Sequence, residues 1–138
     1  MKGRVKVFLC GEDGLRFFGE GPYRLLCGVR ELGSLRASAA RMGMAYTKAL
    51  ALLRHGEEEL GFPLTQRKTG GAGGGGSCLT KEAEELMKRY EQWREAVAGC
   101  AESLYHTYFS GFGQEEPAAH REPGSGENNP AGKPPAAG

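Results

Sequence analysis

The sequence predicts an α+β, mainly α fold, a winged helix-turn-helix with a long C-terminal dimerisation helix. Three observations predict it. Two helical segments with apolar faces meet at Gly43, and two short strand-like segments bracket a glycine run at 70–76. Beyond them Leu86, Tyr90, Trp93, Val97, Cys100 and Leu104 recur at spacings of 4, 3, 4, 3 and 4, the 3.5-residue period of a two-helix seam. With 138 residues, 39% apolar and 25% charged, the chain suits one packed core. No apolar run approaches the roughly 20 residues of a bilayer-crossing helix. The basic N-terminus lacks the apolar centre of a signal peptide, so a cytoplasmic protein without membrane association is expected.

Taken in order, residues 4–10 alternate basic and apolar side chains, and residues 15–18 follow the turn Gly11-Glu12-Asp13-Gly14, which reads as a hairpin. Gly21-Pro22 opens a first helix, where proline's missing N–H costs nothing, with Leu25, Leu26, Val29 and Leu32 on one face and Gly33 at its end. Ser34 is an N-cap for a second helix to about Met42. A third runs from Met44 to about Leu60, before Gly61-Phe62-Pro63. Residues 64–68 and 77–79 form the arms of a wing around the glycine loop, and Thr80 caps the last long helix. The domains expected are 1–79 for the winged helix-turn-helix and 80–110 for the dimerisation helix. Residues 111–138, with five prolines, six glycines and one large apolar residue, read as a disordered tail.

The net charge of +1 hides an uneven distribution. Residues 34–56 carry Arg36, Arg41, Lys48 and Arg54 with no acid, and residues 64–81 add Arg67, Lys68 and Lys81, again with none. Residues 82–138 hold five cations against ten acids. A basic run is often only a solvated face, but these cations fall on the second and third helices and on the wing, the surfaces that would meet double-stranded DNA. The third helix suits the major groove, with Ala45, Tyr46, Thr47 and Lys48 as its exposed first turns; Tyr46 could equally be core. Ser34, Arg36 and Ser38 would hold the phosphate backbone, and Arg67, Lys68 and Lys81 would bracket the wing near phosphates or the minor groove.

Other chemistries find little support. Cys10, Cys27, Cys78 and Cys100 are too far apart for a CxxC pair and read as free buried thiols. His55, His106 and His120 have no ligand-spaced partner, so no metal is expected. Gly71, Gly73 and Gly76 satisfy GxGxxG formally. A run of six glycines in seven positions, 70–76, fits several registers, however, and a Walker lysine is absent. No nucleophile has a base beside it, so neither an enzyme nor a cofactor is expected.

The segment Gly33-Ser34-Leu35-Arg36-Ala37-Ser38-Ala39-Ala40-Arg41-Met42-Gly43-Met44-Ala45-Tyr46, followed by Thr69-Gly70-Gly71-Ala72-Gly73-Gly74-Gly75-Gly76-Ser77-Cys78-Leu79-Thr80, resembles the N-terminal DNA-binding domain of ModE-type, molybdate-responsive regulators. That domain is related to the one in LysR-type regulators, and the resemblance covers roughly residues 15–105. It implies a homodimeric sequence-specific transcriptional regulator, with the long helix in the dimer interface and the third helix in DNA. Ala45 stands where the family usually has serine, Leu50 where it has tryptophan, and Ala83 where glycine is common. No counterpart of the family's molybdate-binding domains, and so no small-molecule effector site, is expected here, although a link to molybdenum or metal-cofactor gene control stays open. The rival expectation is a winged-helix module that docks another protein without specific DNA binding.

Overall fold

The computed structural model describes residues 1–68 and 75–113; the expected wing tip at 69–74 and the expected tail at 114–138 lie outside the described residues. In chain order the elements are β1 (Leu9–Cys10), β2 (Arg16–Phe18), α1 (Glu20–Leu32), α2 (Leu35–Arg41), α3 (Tyr46–Leu60), β3 (Thr65–Arg67), β4 (Ser77–Leu79) and α4 (Lys81–Phe109). The result is the mainly α winged helix, with β1–β2 and β3–β4 as separate antiparallel pairs.

The first hairpin is shorter than expected, because β2 gives way to α1 after Phe18 and leaves residues 4–8 no strand to pair with. Its register runs Leu9↔Phe18 and Cys10↔Arg16, so Phe17 is an extra residue on β2. Gly14, at φ 84°, closes the turn by donating its N–H to the Gly11 carbonyl at 2.9 Å. Helix α1 begins at Glu20, one residue before the expected glycine, and Pro22 falls in its first turn, where no backbone donor is needed. Leu25, Leu26 and Val29 are buried as expected, whereas Leu32 is 45% exposed at the end of the helix.

Helices α1 and α2 meet at two small residues, Gly28 and Ser38. A Cβ built on Gly28 would lie 2.0 Å from the Ser38 Oγ, so only glycine permits this approach. The Ser38 hydroxyl, fully buried, donates to the Leu25 carbonyl at 2.8 Å. Ser34 caps α2 by accepting from the Ala37 N–H at 3.0 Å. Gly43, at φ 68°, then turns the chain, and α3 starts at Tyr46 rather than at Met44, with Ala45 in extended conformation as its N-cap residue.

The wing is tied to this helical pair by its backbone. The Ser77 N–H donates to the Gly33 carbonyl at 2.9 Å, and the Lys68 N–H to the Gly76 carbonyl at 3.1 Å. A side chain at Gly76, whose φ is 129°, would come within 2.9 Å of that Gly33 oxygen. Register Thr65↔Leu79, Gln66↔Cys78, Arg67↔Ser77 aligns the two arms. Thr80 caps α4 as expected. Its Oγ1 accepts from the Ala83 N–H at 3.0 Å and donates to the Pro63 carbonyl at 2.8 Å.

The described residues divide into two compact units, Val7–Trp93 and Met1–Lys6 with residues 94–113. In the first, the opening turns of α4 bury Ala83, Met87 and Tyr90 against the core. Tyr90, expected in a dimer seam, is only 3% exposed: it packs edge-on against Phe18 with centroids 5.3 Å apart, and its hydroxyl donates to the Val7 carbonyl at 3.0 Å. Leu86 is half-buried against the same core, because the buried face follows the 3.6-residue helical period through Ala83, Met87 and Tyr90. In the second unit the Tyr105 hydroxyl donates to the Met1 carbonyl at 2.7 Å, Gly3 lies on the Tyr105 ring, and Tyr105 stacks on Phe109 at 5.5 Å. The thiols expected to be buried are not: Cys10 and Cys100 are exposed, Cys27 and Cys78 half-buried.

Candidate nucleic-acid interface

Ala49 and Leu53 face the core at a spacing of four, with Leu50 and Leu52 half-buried beside them, so the first two turns of α3 turn Thr47, Lys48 and Ala51 outward. Thr47, Lys48, Ala51 and Arg54 are exposed, and no carboxylate occurs on α3 before Glu57. Thr47, Leu50, Ala51, Arg54, His55 and Glu58 line one shallow groove along this surface. Arg54, one of the basic residues of the acid-free stretch but not one of the expected base or phosphate contacts, lies seven residues after Thr47 and three after Ala51, which puts it on their face.

A second group forms where α2, α3 and the wing arms come together. Ser34, Arg36, Tyr46, Gln66, Arg67 and the backbone of Gly75 and Gly76 line a concavity of about 360 Å³. The Arg36 guanidinium lies 4.1 Å from the centroid of the Tyr46 ring. Tyr46 therefore occupies neither alternative alone: its ring packs on the core, half-buried, and supports a cation. Lys68 reaches over the α1–α2 turn, its Nζ 3.2 Å from the place a Gly33 side chain would take. Gln66 and Thr65 carry no sequence signal; only the register of the wing brings them here.

Three expected contacts change. Ser38 is buried in the α1–α2 contact with its hydroxyl spent on Leu25, which removes it from any solvent-facing site. Ala45 is exposed but precedes α3 instead of lying in its first turn. Lys81 lines a different groove, with Arg30, Lys88 and the carboxylates of Glu84, Glu85 and Glu91. There the Arg89 Nε donates to the Glu85 carboxylate at 2.7 Å and holds that carboxyl below the usual range. Arg41 is also partly neutralised, by Glu31 at 2.9 Å. The exposed cations that remain near α2, α3 and the wing are Arg36, Lys48, Arg54, Arg67 and Lys68.

Residues 23–84, which include both helices and both wing arms, match the family described as bacterial regulatory helix-turn-helix protein, lysR family. The match takes in the helix-turn-helix and both arms of the wing. The chain is 35% identical over 68 residues to "Transcriptional regulator ModE" of Haemophilus influenzae, covering 49% of this chain and 27% of that protein. It is 36% identical over 83 residues to "Molybdenum transport protein ModE" of Herbaspirillum seropedicae, covering 60% of this chain and 30% of that one. The chain thus spans less than a third of the length of these relatives. It is also 30% identical over 106 residues to "Biotin carboxylase 2, chloroplastic" of Populus trichocarpa, across 70% of this chain and 19% of that protein. The LysR-type match coincides with the helices and wing that carry the exposed cations. Among the described residues no helix is long and apolar enough to cross a membrane.

Proposed function

We propose that this chain is a cytoplasmic, homodimeric transcriptional regulator that binds double-stranded DNA through α3. The observation that carries the reading is the face Thr47, Lys48, Ala51 and Arg54, exposed on a helix that holds no carboxylate before Glu57, in the stretch that matches the LysR-type family. The major groove is wide enough for a helix and presents a distinct pattern at each base pair. Lys48 reaches a guanine edge or a phosphate, Thr47 either kind of acceptor, and the Ala45 methyl a thymine methyl. Ser34, Arg36, Arg67 and Lys68 serve the backbone.

Dimerisation rests on α4. Trp93 is 39% and Leu104 48% exposed, Cys100 is exposed and Val97 half-buried, which are apolar groups a second helix would cover. If each protomer neutralises three or four phosphates, the dimer has a log–log salt slope of roughly −5 to −7. Fluorescence anisotropy against the gene's own upstream region and a scrambled duplex, across a salt series, tests this. Wild type should prefer the native fragment with a steep slope, and Lys48→Ala should lose the preference. Weak binding without preference, unchanged by the mutation, would favour a protein-docking module instead. A link to molybdenum-dependent gene control is supported by the likeness to the molybdenum transport protein ModE of Herbaspirillum seropedicae. Added molybdate should leave the Tm and DNA affinity of this chain unchanged; a clear shift would show an oxyanion site in it.

A further inference from the structure

The concavity between α2, α3 and the wing has a composition that favours one kind of ligand group. Two guanidiniums border it, Arg36 from α2 and Arg67 from β3, and the other polar groups around it are hydroxyls, an amide and glycine backbone. No carboxylate is among its described lining residues. Such a set suits an anionic oxygen group that accepts several hydrogen bonds at once.

The two guanidiniums are also held in different ways. Arg67 sits in a strand whose distance from α2 is set by main-chain bonds, since Ser77, its cross-strand partner, donates to the Gly33 carbonyl at the turn into α2. Arg36 is held by a side chain. Its guanidinium lies over the Tyr46 ring at 4.1 Å, and a planar cation stacked on an aromatic face gives up less freedom when it then meets a phosphate. Tyr46 is in turn fixed by packing on the core at the first turn of α3.

We infer that Arg36 and Arg67 grip one backbone phosphate of the duplex in this concavity, and that Tyr46 is the positioning residue that aims Arg36 rather than a reader of bases. The inference rests on the reading of α3 as the DNA-binding helix and adds where the backbone is held. A phosphate grip contributes to affinity for any sequence and to the salt dependence, but not to preference between sequences.

The test uses the full chain and two labelled duplexes, the native upstream fragment and its scrambled counterpart, across a salt series. Arg36→Gln and Arg67→Gln should each weaken both duplexes by the same factor, about tenfold, and flatten the slope by about 1 for each cation removed from the phosphate. Tyr46→Phe should bind as wild type. Tyr46→Leu keeps apolar bulk on the core but removes the ring, and should reproduce Arg36→Gln, with the double variant no weaker than Arg36→Gln alone. Thermal melts of each variant separate weakened binding from a damaged fold. To distinguish a duplex phosphate from a free anion, inorganic phosphate is compared with chloride at equal ionic strength; similar competition is expected, because the grip needs the duplex to bring the phosphate in. Stronger competition by inorganic phosphate that Arg36→Gln abolishes would overturn the duplex as occupant. An unchanged slope in both arginine variants, or a loss confined to the native fragment, would overturn the grip. Additive losses from Tyr46→Leu and Arg36→Gln would overturn the positioning role. A wild-type chain that binds neither duplex would overturn the α3 reading itself, and is recognised before any variant is made.

Discussion

The two halves of α4 continue one apolar pattern and meet different surroundings. Up to Trp93 the helix belongs to the Val7–Trp93 unit and buries Ala83, Met87 and Tyr90 against its own core. From Arg94 it belongs to the other unit, where Leu104, Tyr108 and Phe109 stay 42–48% exposed. The difference teaches that a seam spacing marks a helix as wanting a partner without saying which partner. A domain's own core takes the side chains it can reach, and the pattern shifts from the 3.5-residue seam to the 3.6-residue face where it does so.

The sharpest way to break that comparison is to shorten one side chain in each half. Met87→Ala opens a hole in the core and should cost about 3 kcal/mol of unfolding free energy. Leu104→Ala, on a half-exposed residue, should change the stability of a monomer by no more than about 0.5 kcal/mol while weakening self-association. Urea unfolding and sedimentation at several concentrations read the two effects separately. Equal losses of stability from both substitutions would erase the distinction between the halves.

A smaller effect sharpens it at the helix start. Thr80→Ala removes a cap that accepts from Ala83 and a hydroxyl bond to Pro63, and should cost about 1–2 kcal/mol. Hydrogen exchange should locate the loss in the first turns of α4. A loss spread evenly to Phe109 would mean that the two halves fold as one rod.

Much of this architecture was legible in the residues, and what was not has particular causes. Gly33, Gly43 and Gly61 adopt positive φ, and helices α1, α2 and α3 stop at or just before them, so three boundaries were readable from glycine alone. The caps Ser34 and Thr80 were readable because a hydroxyl followed by a helical run has few other uses. Ser38 was misplaced because a serine that satisfies a neighbouring helix carbonyl looks in sequence like one that faces solvent; only the Gly28 contact tells them apart. Lys81 lies in a groove apart from the other expected cations because it opens α4, whose later turns bring Lys88 and Glu91 to it, a grouping that neighbours along the chain do not show. The Arg36–Tyr46 stack was invisible because its partners are ten positions apart on different helices, and no period connects them.

The smallest expected effect concerns how the start of α4 is held to α1. Tyr23 donates its hydroxyl to the Glu91 carboxylate, and its ring lies 5.3 Å from that of Tyr90. Burial first, and then the bond to Glu91, holds the Tyr23 phenol well above its ordinary range. The sign follows from linkage. Below about pH 10 the phenol is protonated in both folded and unfolded chains, and the stabilisation is fully present. Above about pH 10 the unfolded chain loses the proton while the folded one keeps it, so stability falls as pH rises. Tyr23→Phe deletes the group, so it should cost about 1 kcal/mol near neutral pH. The gap between wild type and variant should then narrow on moving from about pH 8 to pH 11, because only the wild type has this proton to lose. Urea midpoints at the two pH values measure it. A gap that stays constant would mean that neither burial nor the bond to Glu91 holds the phenol protonated.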